Sequence, residues 1–154
     1  MQRIVILGRG ASGKSTLARR LSAITNLPII ELDKLFWQPG SHPTPRDTWL
    51  VVQEHLARRE QWIMDGDLGP YDLVELRLRR ADTVIVLDFS LLRCAARALR
   101  RSRERLDFWR WVLTYRRKYL PHLLKAIAHY APQAELVILR DPDAVERFVG
   151  TFHP

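Results

Sequence analysis

One stretch near the start of the chain has residue types and spacing suited to binding a polyphosphate. It reads GRGASGKS over residues 8–15 and fits the pattern G-x-x-x-x-G-K-[ST], between an apolar run and a helical pattern. In that context glycines let backbone N–H groups close around phosphate oxygens at a helix N-terminus. We therefore expect a bound triphosphate to contact Gly8, Arg9, Gly10, Ala11, Ser12, Gly13, Lys14, Ser15 and Thr16.

Two of these side chains have specific chemical roles in such a loop. Lys14 would bring a mobile positive charge to the β- and γ-phosphates. The Ser15 hydroxyl is the expected protein ligand of Mg²⁺. A carboxylate must also support the metal, and both Asp65 and Asp88 end apolar runs in a manner suited to that role. Capping of the following turn is the structural alternative for both aspartates.

The bulk composition predicts a single domain over residues 1–154. The chain has 47% hydrophobic residues and one cysteine, Cys94, which excludes an intrachain disulfide framework and fits a reducing compartment. No apolar run approaches the ~20 residues that span a bilayer, so we expect a cytoplasmic protein with no membrane partner. The net charge of +8 is uneven: residues 1–88 carry 12 Lys/Arg and 11 Asp/Glu, and residues 89–154 carry 13 and 6.

Apolar and helical patterns alternate along the chain. Strands are predicted at Arg3 to Leu7, Pro28 to Leu32, Gln61 to Met64, Asp82 to Asp88 and Glu135 to Leu139, and the first two are expected to be buried. This alternation predicts a three-layer α/β/α fold around a parallel sheet. Ligands of such sheets bind at the carboxyl ends of the strands, which here carry Gly8, Asp33, Asp65, Asp88 and Arg140. Arg140 is therefore a further candidate nucleotide contact.

The segments between the strands are predicted as helices and one irregular loop. Residues 34–43 are rich in Pro, Gly and aromatics, which favours a loop. Thr44 is expected to cap the next helix, and Asp141 the last one. Other helices are predicted at Lys14 to Thr25, Tyr71 to Arg80, Ser90 to Arg105, and Asp107 to His129 with an interruption at Pro121.

With these residues placed, the chain resembles the adenylate-kinase-like P-loop proteins, and most closely the small bacterial "DNA topology modulation protein" (FlaR-like) family. The resemblance is carried by residues 3–17, 30–37 (IELDKLFW), 62–66 (WIMDG), 76–89 and 104–111. It implies a five-stranded P-loop NTPase sheet of order 2-3-1-4-5 that binds ATP and Mg²⁺. It also implies a lid at about residues 97–107, which is shorter here than in relatives.

The resemblance assigns roles to residues outside the loop. It favours Asp65 over Asp88 for the magnesium shell, because residues 62–66 match an Asp-Gly element beside the phosphate loop. It places Asp33 where an acidic residue orients or deprotonates the acceptor hydroxyl, with capping of a turn as an equal alternative. Trp37 and Arg77 would lie near the acceptor, although aromatics in such a position more often serve packing.

The densest basic run extends from Arg93 to Arg105 and overlaps the predicted lid. Arg97 and Arg101 are our candidates for contacts with the nucleotide or its γ-phosphate, because six arginines with only Glu104 between them should repel one another unless an anion joins them. The next stretch, residues 108–119, mixes aromatics with cations. Nucleic-acid binding through stacking is one interpretation. A core-facing stripe with a basic outer face is the favoured one, with Phe108, Val112, Tyr115 and Tyr119 inward.

These observations lead to one function hypothesis and two alternatives. The leading hypothesis is an ATP- and Mg²⁺-dependent phosphotransferase of the small-molecule or nucleotide kinase type, or a slow ATPase on that scaffold. One alternative is a nucleic-acid-associated protein that uses the basic helices over residues 93–125. The other is a nucleotide-binding domain that acts as an interaction partner. The sequence leaves the acceptor open, and also the choice between monomer and homodimer.

Overall fold

The computed structural model describes residues 1–40, 42–101 and 106–152. Its strands are β1 (Arg3–Gly8), β2 (Ile29–Glu31), β3 (Trp37–Gln38), β4 (His42–Pro43), β5 (Trp62–Asp65), β6 (Thr83–Leu87) and β7 (Glu135–Leu139). Its helices are α1 (Lys14–Thr25), α2 (Leu32–Phe36), α3 (Arg46–Ala57), α4 (Val74–Leu78), α5 (Leu91–Arg101), α6 (Leu106–Thr114), α7 (Leu120–Tyr130) and α8 (Pro142–Gly150). A 3₁₀ turn covers Gly69–Tyr71, and a π-helical turn covers Tyr115–Tyr119.

A five-stranded parallel sheet of order β2-β5-β1-β6-β7 forms the centre of the fold. The five strands are those predicted from the apolar runs, and the predicted order is confirmed. β1 is the middle strand, and Ile4 to Leu7 are fully buried because both faces of the strand are covered. The register pairs Ile6 with Asp65 and Gly8 with Leu87, so the carboxyl ends of three strands meet at the phosphate loop.

Alternate residues of β1 enter two separate hydrophobic cores. Ile4 and Ile6 pack on one face with α1 and α8, through Leu17 of α1 and Val145 of α8 among others. Val5 and Leu7 pack on the other face with residues from α3, α4 and α7. Successive side chains of a strand point to opposite faces, so an unbroken apolar run supplies both cores. The three predicted layers are therefore present.

The segment from Leu32 to Pro43, expected to be irregular from Lys34 onward, contains short regular elements. α2 begins directly after β2, and β3 pairs with β4 as an antiparallel hairpin. Buried Phe36 packs edge-to-face on Trp49, and this tertiary contact outweighs a Pro- and Gly-rich composition. The expected capping role of Thr44 is wrong, because its backbone N–H and its hydroxyl both donate to the Phe36 carbonyl instead.

Two of the predicted helices have different bounds in the structure. The stretch from Tyr71 to Arg80 is helical only at α4, because Asp72 is extended and its carboxylate accepts from the Leu68 backbone and from Arg77. The second long helix changes at the π-helical turn, ahead of Pro121. That proline lies in the first turn of α7, where the absence of its N–H breaks no helical hydrogen bond. In the described ranges, no helix is both long and apolar enough to cross a membrane.

The predicted cap of the last helix is confirmed and gives a stability test. The Asp141 carboxylate accepts a 2.7 Å hydrogen bond from the Ala144 backbone N–H. Replacing Asp141 with Ala should lower the free energy of unfolding by about 0.5–2 kcal/mol in urea denaturation. Asp143→Ala, in the same first turn but without the capping bond, is the matched control and should cost less. Equal losses in the two variants would contradict the capping role.

Candidate functional site

The phosphate loop leaves β1 and enters α1 with the backbone that its glycines permit. Gly8 has a φ of 145°, and a Cβ there would lie 2.6 Å from the Leu87 carbonyl oxygen. Gly13, at the start of α1, has a left-handed φ of 101°. The Lys14 ammonium donates to the carbonyls of Gly8 at 2.9 Å and Arg9 at 3.1 Å. Lys14 is therefore held across the mouth of the loop.

Asp65 lies beside the residue that should hold the metal. The Ser15 hydroxyl interacts with the Asp65 carboxylate and lowers its pKa, but burial has the larger effect and the net pKa is raised. Asp65 is 4% exposed, and its Oδ1 has no hydrogen-bond partner among the described residues. The Asp65 oxygen accepts no hydrogen bond from the described residues, and the Ser15 hydroxyl lies next to the carboxylate. Two such oxygen ligands suit a hard divalent cation.

Asp88, the other candidate for the metal shell, is held by an arginine. Arg116 reaches it with two parallel hydrogen bonds of 3.0 Å, from Nε to Oδ1 and from the guanidinium Nη2 to Oδ2. Asp88 itself is 7% exposed. This bidentate pair uses both carboxylate oxygens. The geometry therefore agrees with the preference for Asp65.

Asp33, the candidate for acceptor activation, belongs to α2 and is exposed at the carboxyl edge of the sheet. The structure around it raises its pKa, mainly through desolvation, and Asp65 and Asp72 add to this effect. The positive charges of Lys14 and Arg77 oppose the rise. Asp33 is thus close enough to interact electrostatically with the loop lysine, as the sequence-based hypothesis requires.

Arg77, expected near the acceptor, is completely buried in an ion pair. Its guanidinium binds both oxygens of Asp72, at 2.6 and 2.7 Å, and also donates to the Gly66 carbonyl at 3.0 Å and to Gln53 at 3.3 Å. Desolvation lowers its pKa, but the Asp72 carboxylate more than offsets this and the net pKa is raised. Arg77 therefore fastens the segment after β5, and direct contact with an acceptor stays a prediction.

Asp67 is a site residue that the sequence analysis did not single out. It is partly buried, and desolvation together with the nearby Asp72 carboxylate raises its pKa to about 6, although Lys14 opposes the shift. The buried Tyr115 hydroxyl interacts with Asp67, and desolvation and the nearby carboxylates raise the Tyr115 pKa. The sequence offered one indication, since Asp65-Gly66-Asp67 ends a buried strand. Its pairing with Tyr115, far along the chain, was not visible.

The arginines predicted to contact the nucleotide have different surroundings. Arg97 of α5 donates to the Ser12 carbonyl at 3.0 Å, and it lines a cavity of about 420 Å³ together with the phosphate loop and the start of α8. Arg9 is buried, donates to the Phe89 carbonyl at 3.3 Å and lies 5.6 Å from the centre of the Tyr115 ring. Arg140 is exposed directly after β7.

Part of the predicted lid lies outside the described residues. That part comprises Arg103, Glu104 and Arg105 and the side chain of Arg101, so the proposed contact of Arg101 with the nucleotide is not tested. The core-facing stripe after the lid is confirmed where it is described, because Val112 and Tyr115 are fully buried. Phe108 also lies outside the described side chains.

Trp37, expected near the acceptor, and the neighbouring Phe36 have separate roles. The buried Phe36 ring belongs to the core. Trp37 is 39% exposed and meets the more exposed ring of Tyr71 edge-to-face, with the ring centroids 6.0 Å apart. The exposed Trp37 ring is therefore available to contact an acceptor. The Phe36 ring packs against it, with the two ring centroids 4.8 Å apart.

Comparison with solved structures reveals the same fold in small kinases. Shikimate kinase from Acinetobacter baumannii in complex with shikimate is 16% identical, with a TM-score of 0.64 over 98% of this chain and 90% of that chain. The chain has a P-loop kinase fold. Shikimate kinase from Aquifex aeolicus vf5 is 18% identical (TM-score 0.56; 97% and 94% covered), and a gluconokinase from Sinorhizobium meliloti 1021 is 19% identical (0.55; 99% and 95%). No protein-family model and no curated protein matches the chain.

Proposed function

We propose that this protein is a phosphotransferase that moves the γ-phosphoryl group of ATP, with Mg²⁺, to a hydroxyl group of a small acceptor. The observation that carries the proposal is the position of Lys14. It caps a complete phosphate loop, and its charge acts on the carboxylates of Asp33, Asp65 and Asp67. The structural similarity to shikimate kinase and gluconokinase supports the same class of reaction. A slow ATPase on this scaffold is the variant in which water replaces the acceptor.

Ser15 and Asp65 would hold the magnesium ion of the nucleotide. The fit rests on the buried Asp65 oxygen that has no donor among the described residues and on the adjacent hydroxyl. When bound, Mg²⁺ neutralises charge on the phosphates and aligns them for in-line displacement. Ser15 and Asp65 would share the ion with oxygens of the nucleotide itself. In the described ranges, no group of three or more His, Cys, Asp or Glu could hold a metal.

The nucleotide would enter through the cavity of about 420 Å³. The loop backbone from Gly8 to Thr16 would bind the phosphates, and Arg97 lies over Gly13 at the entrance to the loop. We assign Arg97 to the phosphates, with Arg101 joining it from the lid and Arg140 near the nucleoside. Fixed positive groups of this kind stabilise the charge that spreads over the transferring group.

Asp33 would orient the acceptor hydroxyl and take its proton. The acceptor oxygen forms a bond to the γ-phosphorus while the bond from that phosphorus to the β–γ bridging oxygen breaks, and ADP leaves. The proton of the acceptor hydroxyl passes to the Asp33 carboxylate. The surroundings that raise the pKa of Asp33 also make it a better proton acceptor. Asp67, which also interacts with Lys14, lies in the same part of the site.

An Asp33→Asn variant tests this role directly. We expect kcat for transfer to fall by a factor of about 10² to 10⁴, because the amide cannot accept the proton. Binding of Mg-ATP, measured as a shift in melting temperature, should persist because the phosphate loop is unchanged. The assay follows label from [γ-³²P]ATP into a panel of sugars, cyclitols, nucleosides and hydroxy acids.

The matched control is Asp47→Asn, an exposed aspartate in the first turn of α3. This variant makes the same change of charge at a position outside the carboxyl edge of the sheet. Its kcat should equal that of the wild type. Full activity in Asp33→Asn would exclude Asp33 as the proton acceptor. Loss of Mg-ATP binding in that variant would show that it acts on the nucleotide.

The nucleic-acid alternative rests on the basic second half of the chain. Arg117, Lys118 and Lys125 are exposed there. Val112 and Tyr115, which precede these cations in the chain, face the core. The described part of the region therefore offers charge for phosphate contact, but the buried Tyr115 ring is not available as a stacking platform. We place small-molecule phosphoryl transfer first for this reason.

A further inference from the structure

A second cavity, of about 210 Å³, lies beside the segment that follows β5. One wall comes from that segment and α4, and the opposite wall from the π-helical turn and α7. The lining residues are Asp67, Gly69, Asp72, Val74, Tyr115, Tyr119, His122, Leu123 and Ala126. The phosphate-loop residues that line the nucleotide cavity do not line this one. The two cavities are therefore separate.

The two cavities flank the phosphate loop from opposite faces of the sheet. Leu17 and Val145, in the nucleotide cavity, belong to the core that contains Ile4 and Ile6. Val74 and Leu123, in the second cavity, pack against the core on the other face. The second cavity nevertheless adjoins the loop, because Asp67 interacts with Lys14 and the Tyr115 ring lies under Arg9. This arrangement suits an acceptor that approaches the γ-phosphate from the side opposite the nucleoside.

The charges around the second cavity disfavour an anionic ligand. Among the residues that the structure describes, its lining includes two carboxylates, Asp67 and Asp72, and no Lys or Arg. The described cations that act on the lining have other partners. Lys14, which interacts with Asp67, donates to the Gly8 and Arg9 carbonyls. Arg77 binds both oxygens of Asp72, and buried Arg9 donates to the Phe89 carbonyl. A carboxylate or phosphate placed here would meet like charge without a counterion, which is costly away from water.

We infer that this cavity is the acceptor subsite and that it takes an uncharged, hydroxylated ring compound of about monosaccharide size, rather than a hydroxy acid or a phosphorylated compound. This inference rests on the proposed function, because it specifies the acceptor of the same phosphoryl transfer. The hydroxyls of the ligand have partners in the Asp67 carboxylate, the Tyr115 hydroxyl and the His122 imidazole. The C–H face of the ring packs on Val74, Leu123 and Ala126.

The size of the cavity indicates the size of the ligand part that it can hold. A water molecule takes up ~30 Å³ of the liquid, so the cavity of about 210 Å³ has room for about seven. That room matches a single substituted ring. A few polar groups that fix orientation, set in an apolar wall, are the usual composition of a small-molecule site.

Binding and transfer are measured with five probes. D-glucose, D-ribose and myo-inositol are the uncharged ring compounds, and shikimate and D-gluconate are the acids. Calorimetric titration into the protein saturated with a non-hydrolysable Mg-ATP analogue gives affinities, and labelled ATP gives transfer. We expect at least one uncharged probe to bind and to be phosphorylated with a kcat/KM at least about 10-fold above that of either acid.

Two substitutions place the ligand in the cavity. Ala126→Phe fills it from α7 and should raise the KM for the preferred acceptor at least about 10-fold, while the Mg-ATP melting shift is unchanged. Ala128→Phe, exposed on the same helix, is the matched control and should leave both quantities as in the wild type. Asp67→Asn removes one negative charge and should narrow the preference for uncharged probes over acids, a change in selectivity that a purely structural role would not produce.

The outcomes separate this inference from the proposed function. Preference for an acid, or an Ala126→Phe variant with wild-type KM, overturns the assignment of the cavity. Failure of all uncharged probes to bind while Mg-ATP still raises the melting temperature does the same. Absence of a Mg-ATP shift in the wild-type protein overturns the proposed function, and the inference falls with it.

Discussion

Replacing Lys14 with Ala should abolish the stabilisation of this protein by Mg-ATP. At 100 times the Kd, a ligand that binds only the native state adds ~2.7 kcal/mol, which for a chain of this size is a rise in melting temperature of roughly 5–11 °C. Lys14 caps the loop through the Gly8 and Arg9 carbonyls, and in a loop of this pattern the lysine supplies the positive charge for the β- and γ-phosphates. Differential scanning fluorimetry with and without Mg-ATP measures the effect, and phosphoryl transfer should be lost with it.

Lys125→Ala is the control for this experiment. Lys125 is exposed on α7, so the variant has the same net charge as Lys14→Ala but an intact phosphate loop. It should retain the full shift. A Lys14→Ala variant that is stabilised as much as the wild type would remove the triphosphate from the assigned loop, and with it the basis for the enzymatic proposal.

Replacing Arg77 with Met should lower the free energy of unfolding by about 3–5 kcal/mol at pH 7. The guanidinium is fully buried and binds both oxygens of Asp72, the Gly66 carbonyl and Gln53. Its loss leaves a buried carboxylate without its counterion and breaks the tie between α4 and the end of β5. Urea denaturation monitored by circular dichroism measures the change.

Two further variants test whether the loss of stability comes from the unpaired Asp72 carboxylate. Arg80→Met, at an exposed position just after α4, should change the free energy of unfolding by no more than about 0.5 kcal/mol. Arg77→Met combined with Asp72→Asn should be more stable than Arg77→Met alone, because no unpaired charge stays buried. If Arg77→Met were as stable as Arg80→Met, the pair would not fasten this segment.

The position of Arg77 bears on the type of acceptor. An unpaired guanidinium near the acceptor would favour an acidic acceptor. Here the Arg77 guanidinium is already paired with the Asp72 carboxylate. Arg116 is likewise paired with the Asp88 carboxylate. The solved structures with this fold include shikimate kinase and gluconokinase, and the fold itself does not fix the acceptor. Whether an arginine is already paired with a carboxylate, rather than how many arginines are present, therefore decides which acceptors the second cavity can bind.

The sequence could predict those features that depend on neighbouring residues. The phosphate loop was recognisable because glycines, a lysine and a serine must follow one another to surround a phosphate. The five strands were recognisable because each contains a short apolar run, and β1, which is buried on both faces, is continuously apolar from Ile4 to Leu7. The carboxyl ends of parallel strands meet at one edge, so Asp33 and Asp65 could be placed at the site before their surroundings were known.

Only the tertiary structure decided the partners of the charged residues. Nothing local links Asp88 with Arg116, or Asp67 with Tyr115, because these residues lie far apart in the chain and meet when α6 and α7 pack beside the sheet. The pattern of carboxylates and arginines was therefore readable from the sequence, but which charges neutralise one another was not. That difference follows from the short range of ion pairs and hydrogen bonds, which form only between atoms that the finished fold brings into contact.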